Sequence, residues 1–256
     1  MRTSRRLPDL ALARVVLALA LVVLATACVS APGTNDPFEG ANRNVFAFNE
    51  GVDQIVLQPV ARSYDKVAPD GFQTLLSNFY ANLRFPTIFA NNLFQGDPKA
   101  AAVTTGRFLA NTFIGFFGFF DTATAWGLPR QEQDFGLTLG HWGVGPGPFL
   151  MLPLLGPSSA RDLTGVVVDL PLSAPTWMLS FWVTGPARIL QIVNARAAFL
   201  ETVDENRAAA FDYYVFTRDA FLSYREGRLR TGDASATPQA TEADKDLYFP
   251  DDEADR

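Results

Sequence analysis

The chain has 256 residues and a formal net charge of −6; 48% of its residues are hydrophobic, and it holds 22 phenylalanines, one cysteine and one histidine. An acidic balance excludes nucleic acid as a partner, a single cysteine excludes an internal disulfide, and one histidine with one cysteine cannot supply a zinc ligand set. No metal and no cofactor is expected.

Residues 1–27 begin with Met1, Arg2, Arg5 and Arg6, continue through an apolar run from Ala11 to Leu24, and end in Ala25-Thr26-Ala27 before Cys28. A basic start, a short apolar stretch and small residues ahead of a cut site describe a secretory signal peptide, too short to span a bilayer. A cysteine at that position is where bacterial lipoproteins are cleaved and acylated. Cys28 is therefore the expected lipid attachment, the alternative being a buried thiol in an ordinary secreted protein. Val29, which is not an aspartate, favours the outer membrane by resemblance to bacterial sorting rules. Residues 28–35 read as a short tether, and 36–230 as one domain.

Asp36-Pro37 is expected to open a helix with Val45 and Phe46 on its apolar side, and Asp97-Pro98 to cap and start another. Three later stretches carry almost no charge: Phe108 to Phe120, Phe135 to Ala160 with His141 as its one titratable side chain, and Leu170 to Ala187. A helix facing water would show charges every few residues. Yet Gly115, Gly118, Pro146, Pro148, Pro153, Pro175 and Pro186 break these stretches before any reaches the ~20 apolar residues a spanning helix needs. Two options remain, a deep soluble core or a body sunk part way into one leaflet, and the expected anchor favours the second. Trp126, Trp142, Trp177 and Trp182 suit a membrane interface and equally suit a core.

From Gly140 to Gly156 the glycines and prolines forbid a regular helix. Beyond Ala187, apolar residues recur at Ile189, Val193, Ala197 and Leu200, then at Phe211, Val215 and Leu222, with a helix start placed at Asp204. No period-two alternation is sustained, so the expectation is an all-α fold. Thr231 to Arg256 carries eight acidic and two basic residues and reads as an acidic, disordered tail. Its Leu247-Tyr248-Phe249 triplet is the alternative, a docking element.

Candidate chemistry is sparse. Ser158, His141 and Asp134 or Asp162 form the one imaginable triad, without a nucleophile elbow, so no catalytic residue is assigned. Gly143, Gly145 and Gly147 lack the Lys-Ser/Thr of a nucleotide loop. Arg107, Asn111, Arg161 and Asp162, set among aromatics, either line a polar passage or simply pair and cap; spacing alone leaves both readings open.

Five ordered strings carry a resemblance: DPFEGANRNVFAFNEGVD (36–53), LLSNFYANL (75–83), LFQGDP (93–98), RFLANTFIGFFGFFD (107–121) and DFGLTLGHWGVGPGPFLMLPLLGPSSARD (134–162). They resemble the MlaA (VacJ) lipoproteins of Gram-negative bacteria. The resemblance implies an all-helical, ring-shaped domain lying in the inner, periplasmic leaflet of the outer membrane, with a central amphipathic channel. It implies removal of phospholipids misplaced in the outer leaflet and their transfer to a periplasmic carrier of the Mla type, maintaining lipid asymmetry. Some members associate with trimeric porins, so a porin is a further implied partner. By motif, Phe48 and Asn49 match a pair near the family's lipid path, and Gly143 and Gly145 match glycines of its channel hairpin loop. The rival from another class is a structural or surface lipoprotein affecting envelope integrity or cell spreading without lipid transport.

Overall fold

The computed structural model describes residues 36–173 and 181–231; Cys28, most of the acidic tail and Trp177 lie outside these residues. The chain begins with α1 (Glu39–Val52), a π-helical turn (Asp53–Leu57) and α2 (Gln58–Val67). There follow α3 (Asp70–Leu83), α4 (Phe85–Phe94), α5 (Pro98–Leu109), a second π-helical turn (Ala110–Ile114) and the short α6 (Thr122–Ala125). Next come α7 (Phe135–His141), β1 (Phe149–Leu152), β2 (Gly156–Ser159) and α8 (Ala160–Asp169). The last three are α9 (Phe181–Ala197), α10 (Leu200–Ala209) and α11 (Tyr213–Thr231).

The packing runs in a circuit. From α1 it passes to β1, through β2 to α11, then to α7, α4 and α3, on to α9 and α2, and back through the first π turn to α1. A closed circuit of helices leaves little room for one apolar centre, and the burial pattern agrees. The apolar cluster at the hairpin is small: Phe149, Met151 and Tyr214, flanked by Val45, Phe46, Val215, Phe221 and Leu222. Elsewhere the most enclosed side chains include Asn91, Asn92, Thr138 and Ser159, whereas Phe113, Ile114, Phe116 and Phe117 are exposed, Phe113 by 78%. Buried polar and exposed large apolar groups are the informative departures from a water-soluble domain. The polar interior is hydrogen-bonded, as burial demands: Asn91 accepts from Thr138 Oγ1 at 2.8 Å and donates to Asp169 at 2.9 Å, and Asn92 donates to Thr104 at 2.9 Å. No helix among the described residues is long and apolar enough to cross a membrane.

Local expectations fare unevenly. Asp97 caps α5 by accepting the Ala100 N–H at 2.8 Å, and Val45 and Phe46 pack on the hairpin cluster. Asp36 precedes α1 but does not cap it; its buried carboxylate accepts from Asn42 Nδ2 at 2.7 Å and from the Tyr214 hydroxyl. Asp204 lies inside α10 and starts no helix, because Arg62 and Gln58, each at 2.7 Å, draw its carboxylate sideways. The cap falls instead to Asp212, which accepts the N–H groups of Tyr214 (3.0 Å) and Val215 (3.2 Å). Ile189 is exposed although Val193 and Ala197 on the same helix are buried, and Pro186 sits within α9 without ending it. Gly140 belongs to α7, so the irregular stretch starts later than its composition suggests.

The resemblance implies a hairpin loop here, but the antiparallel strand pair that it carries departs from the all-α expectation. Its free edge is paired by side chains of a helix a hundred residues away. Asn42 donates to the Phe149 carbonyl at 3.0 Å and accepts the Met151 N–H at 2.9 Å; Asn49, seven residues on, donates to the Leu152 carbonyl at 2.9 Å and accepts the Leu154 N–H at 2.8 Å. Asn42 thus stands in for a neighbouring strand along the open edge of β1, and Asn49, two helical turns further on, holds the turn that follows β1.

Candidate functional site

The four polar residues singled out in the sequence separate into two clusters. The first joins α5, the second π turn and α6. Arg107 donates to Asp121 at 2.8 Å, to Thr124 at 3.1 Å and to the Leu128 carbonyl. Asn111 donates to Asp121 at 3.2 Å and accepts the Ala123 N–H at 2.9 Å and the Thr122 hydroxyl at 3.2 Å. Arg130 closes the group, donating to Asp121 and to Asn78 at 2.8 and 2.7 Å. Burial alone would raise the Asp121 carboxyl, but hydrogen bonds from Thr124, Arg130 and Asn111 and the charge of Arg107 hold it well below the usual carboxylate range. The space beside this group, bounded also by Asn82, Phe85 and Phe108, is only about 60 Å³. Here Arg107 and Asn111 pair and cap.

The second cluster has more room. α7 and α8 pack so closely that a Cβ on Gly165 would lie 2.3 Å from the Gly136 nitrogen, and one on Gly136 would lie 2.5 Å from Asp162 Oδ1. That contact brings Arg161 and Asp162, in the first turn of α8, against the loop leaving α7. In the loop Gly143 has φ +88°, a left-handed conformation suited to glycine, and its N–H donates to the Gly140 carbonyl at 2.9 Å. The N–H groups of Ala160 and Arg161 bond back to the carbonyls of Pro148 (3.1 Å) and Pro146 (3.2 Å), fixing the loop over the start of α8. Between loop, α8 and α11 lies a cavity of about 420 Å³, lined by Gly143, Val144, Gly145, Arg161, Asp162 and Arg225 among others.

Its charges are unevenly satisfied. Arg225 takes Asp134 with both terminal nitrogens (2.7 and 2.9 Å) and reaches Asp162 at 2.6 Å, while its Nε is buried without a partner. Asp162 also accepts the Ser159 hydroxyl at 2.8 Å. Burial would lift the Asp134 carboxyl; hydrogen bonds from Arg225 outweigh it and leave the group lowered. Arg161 makes two long contacts, from Nε to Asp162 at 3.3 Å and from Nη1 to the Val144 carbonyl at 3.4 Å.

The structure therefore brings Gly143, Gly145, Arg161 and Asp162 together and sets Arg107 and Asn111 apart. Asn49 clamps the hairpin turn, and its neighbour Phe48 is exposed. The contribution of α11 was missed. Leu222, Arg225, Glu226 and Leu229 all line the cavity, and their spacing of three and four residues marks a single helix face. The imagined triad is not assembled: Asp134 is engaged by Arg225, the Ser158 hydroxyl lies 3.4 Å from the Ser159 carbonyl, and His141 is exposed. No group of three or more His, Cys, Asp or Glu side chains among the described residues could hold a metal ion.

Residues 34–228 match the family model described as MlaA lipoprotein. The chain belongs to the MlaA lipoprotein family. Relatives include the intermembrane phospholipid transport system lipoprotein MlaA of Haemophilus influenzae, 36% identical over 205 residues, covering 77% of this chain and 80% of that protein. The Escherichia coli K12 protein of the same name is 34% identical over 210 residues, covering 79% and 81%. An uncharacterised protein of Rickettsia felis is 41% identical over 133 residues, and that match spans about half of each chain (52% and 53%). A solved structure from work on the structural basis for maintenance of bacterial outer membrane lipid asymmetry superposes with a TM-score of 0.67 at 34% identity, covering 75% of this chain and 98% of that one. The all-α fold of the MlaA family is thus shared by this chain, with one small hairpin added to the expected helices.

Proposed function

We propose that this MlaA-family lipoprotein, held by acyl chains on Cys28, sits in the periplasmic leaflet of the outer membrane, withdraws phospholipids misplaced in the outer leaflet and hands them to a periplasmic carrier. The observation that carries this reading is the inverted burial: many large apolar side chains are exposed on a closed circuit of helices, while charged and amide groups are buried. A phospholipid has an apolar body and a charged head, so a path for it needs both kinds of wall, and polar groups are tolerated at membrane depth only where they are paired or line a cavity. The glycine loop over the 420 Å³ cavity supplies one wall of that path. No covalent step is needed, and a porin partner is carried by the family resemblance alone. Mass spectrometry of the protein purified in mild detergent tests the reading: co-purifying phospholipid and a triacylated Cys28 are expected. An empty protein would favour a structural lipoprotein in its place.

A further inference from the structure

We propose that Arg161 binds the phosphodiester of the phospholipid as it passes the glycine loop, an assignment that rests on the transport reading above. A guanidinium carries five N–H donors in a planar fork and keeps its charge at any physiological pH. The Arg161 side chain is only 3% exposed, yet its acceptors are one carboxylate oxygen at 3.3 Å and one carbonyl at 3.4 Å. Arg107, Arg161 and Arg228 are buried among the described residues. Arg107 is taken by Asp121, Thr124 and a carbonyl, and Arg228 by Glu132 and Tyr224.

Nearby carboxylates do not make up the deficit. Asp134 gives both oxygens to Arg225, and Asp162 gives one to Arg225 at 2.6 Å and the other to Ser159. The N–H groups of Ala160 and Arg161 are spent on loop carbonyls, so the start of α8 is not itself an anion site. A buried charged donor short of acceptors is costly, and Arg161 lines a cavity within the size range of small-ligand sites, about 300–1,000 Å³. A phosphodiester offers two equivalent anionic oxygens that the fork can take side by side. Leu222, Leu229 and Val144 give the same cavity an apolar wall for the glycerol end of the chains.

The test titrates full-length protein in detergent with dihexanoyl phosphatidylcholine, dihexanoylglycerol and inorganic phosphate. Wild type should prefer the phospholipid over dihexanoylglycerol, and Arg161→Gln should lose that preference by on the order of 10-fold or more, the value of a charged hydrogen-bonded pair. Should Arg161→Gln lose its helical circular dichroism, Arg161→Lys decides: several-fold weaker phospholipid binding with unchanged dihexanoylglycerol binding supports the assignment, and unchanged phospholipid binding overturns it. Inorganic phosphate binding as tightly as the phospholipid would make this a free-anion site and overturn it too. If wild type binds no phospholipid, the transport reading itself fails; if it does and folded Arg161→Gln keeps the preference, only Arg161 falls.

Discussion

Two clusters of buried charge, drawn from the same residue types, are built to opposite ends. Around Asp121 every strong donor has an acceptor within 3.2 Å and the adjoining space is about 60 Å³. Around Arg161 the carboxylates are committed elsewhere, the guanidinium keeps long contacts, and about 420 Å³ lies open beside it. A saturated network in a tight space fixes geometry, and an unsaturated one beside a cavity is available to a ligand. The first acts as a strut between α5 and α6, and the second borders an open cavity.

The largest effect expected of this contrast is on stability. Arg107→Gln removes one partner of a buried pair and should cost about 3 kcal/mol, whereas Arg161→Gln surrenders two long bonds and should cost about 1 kcal/mol or less. Chemical denaturation of both variants checks the difference, and equal losses would erase the distinction. Within the hairpin the same contrast recurs between its clamped root and its open loop. Asn42→Ala leaves the Phe149 carbonyl and Met151 N–H without partners and should cost about 2–3 kcal/mol, more than Asn49→Ala at the half-exposed turn. Thermal melts of the two alanine variants read this directly.

Acid should weaken both clusters. The folded Asp121 and Asp134 carboxyls both lie below their ordinary value of 3.8, so each adds stability that is present above the unfolded value and declines as pH falls through the folded one. Melting temperature should hold from neutral pH to about 5 and drop below about 4. Asp121→Asn should shrink that drop; an unchanged acid limb would detach Asp121 from the strut.

Much of this was legible in the sequence. The charge-free broken segments, the Asp97 cap and the glycine loop are local patterns with local physical causes. Less was legible where partners are distant. Nothing near Arg107 or Arg161 says that Asp121 saturates the first and that Arg225, on α11, draws Asp162 from the second. The strand pair was hidden for a similar reason: Phe149 to Leu152 is too short to declare a strand, and it pairs with Asn42 and Asn49 across more than a hundred residues. Asp204, expected to start a helix, lies inside one that begins at Leu200, and its carboxylate is bonded to Gln58 and Arg62 on the distant α2.

The central claim is that lipid uses the cavity beside the glycine loop. Gly145 is where it can be tested without disturbing the fold: a Cβ there would meet nothing within 4 Å, and its backbone is outside the left-handed region. Gly145 lines the cavity, so Gly145→Trp should fold with wild-type melting temperature and narrow it. The measurement is the amount of phospholipid exposed in the outer leaflet of cells that carry Gly145→Trp as their only copy, at matched protein abundance. Accumulation equal to that of cells lacking the protein is the expected result. Wild-type asymmetry with the cavity narrowed would contradict the claim and place the lipid path elsewhere in the circuit.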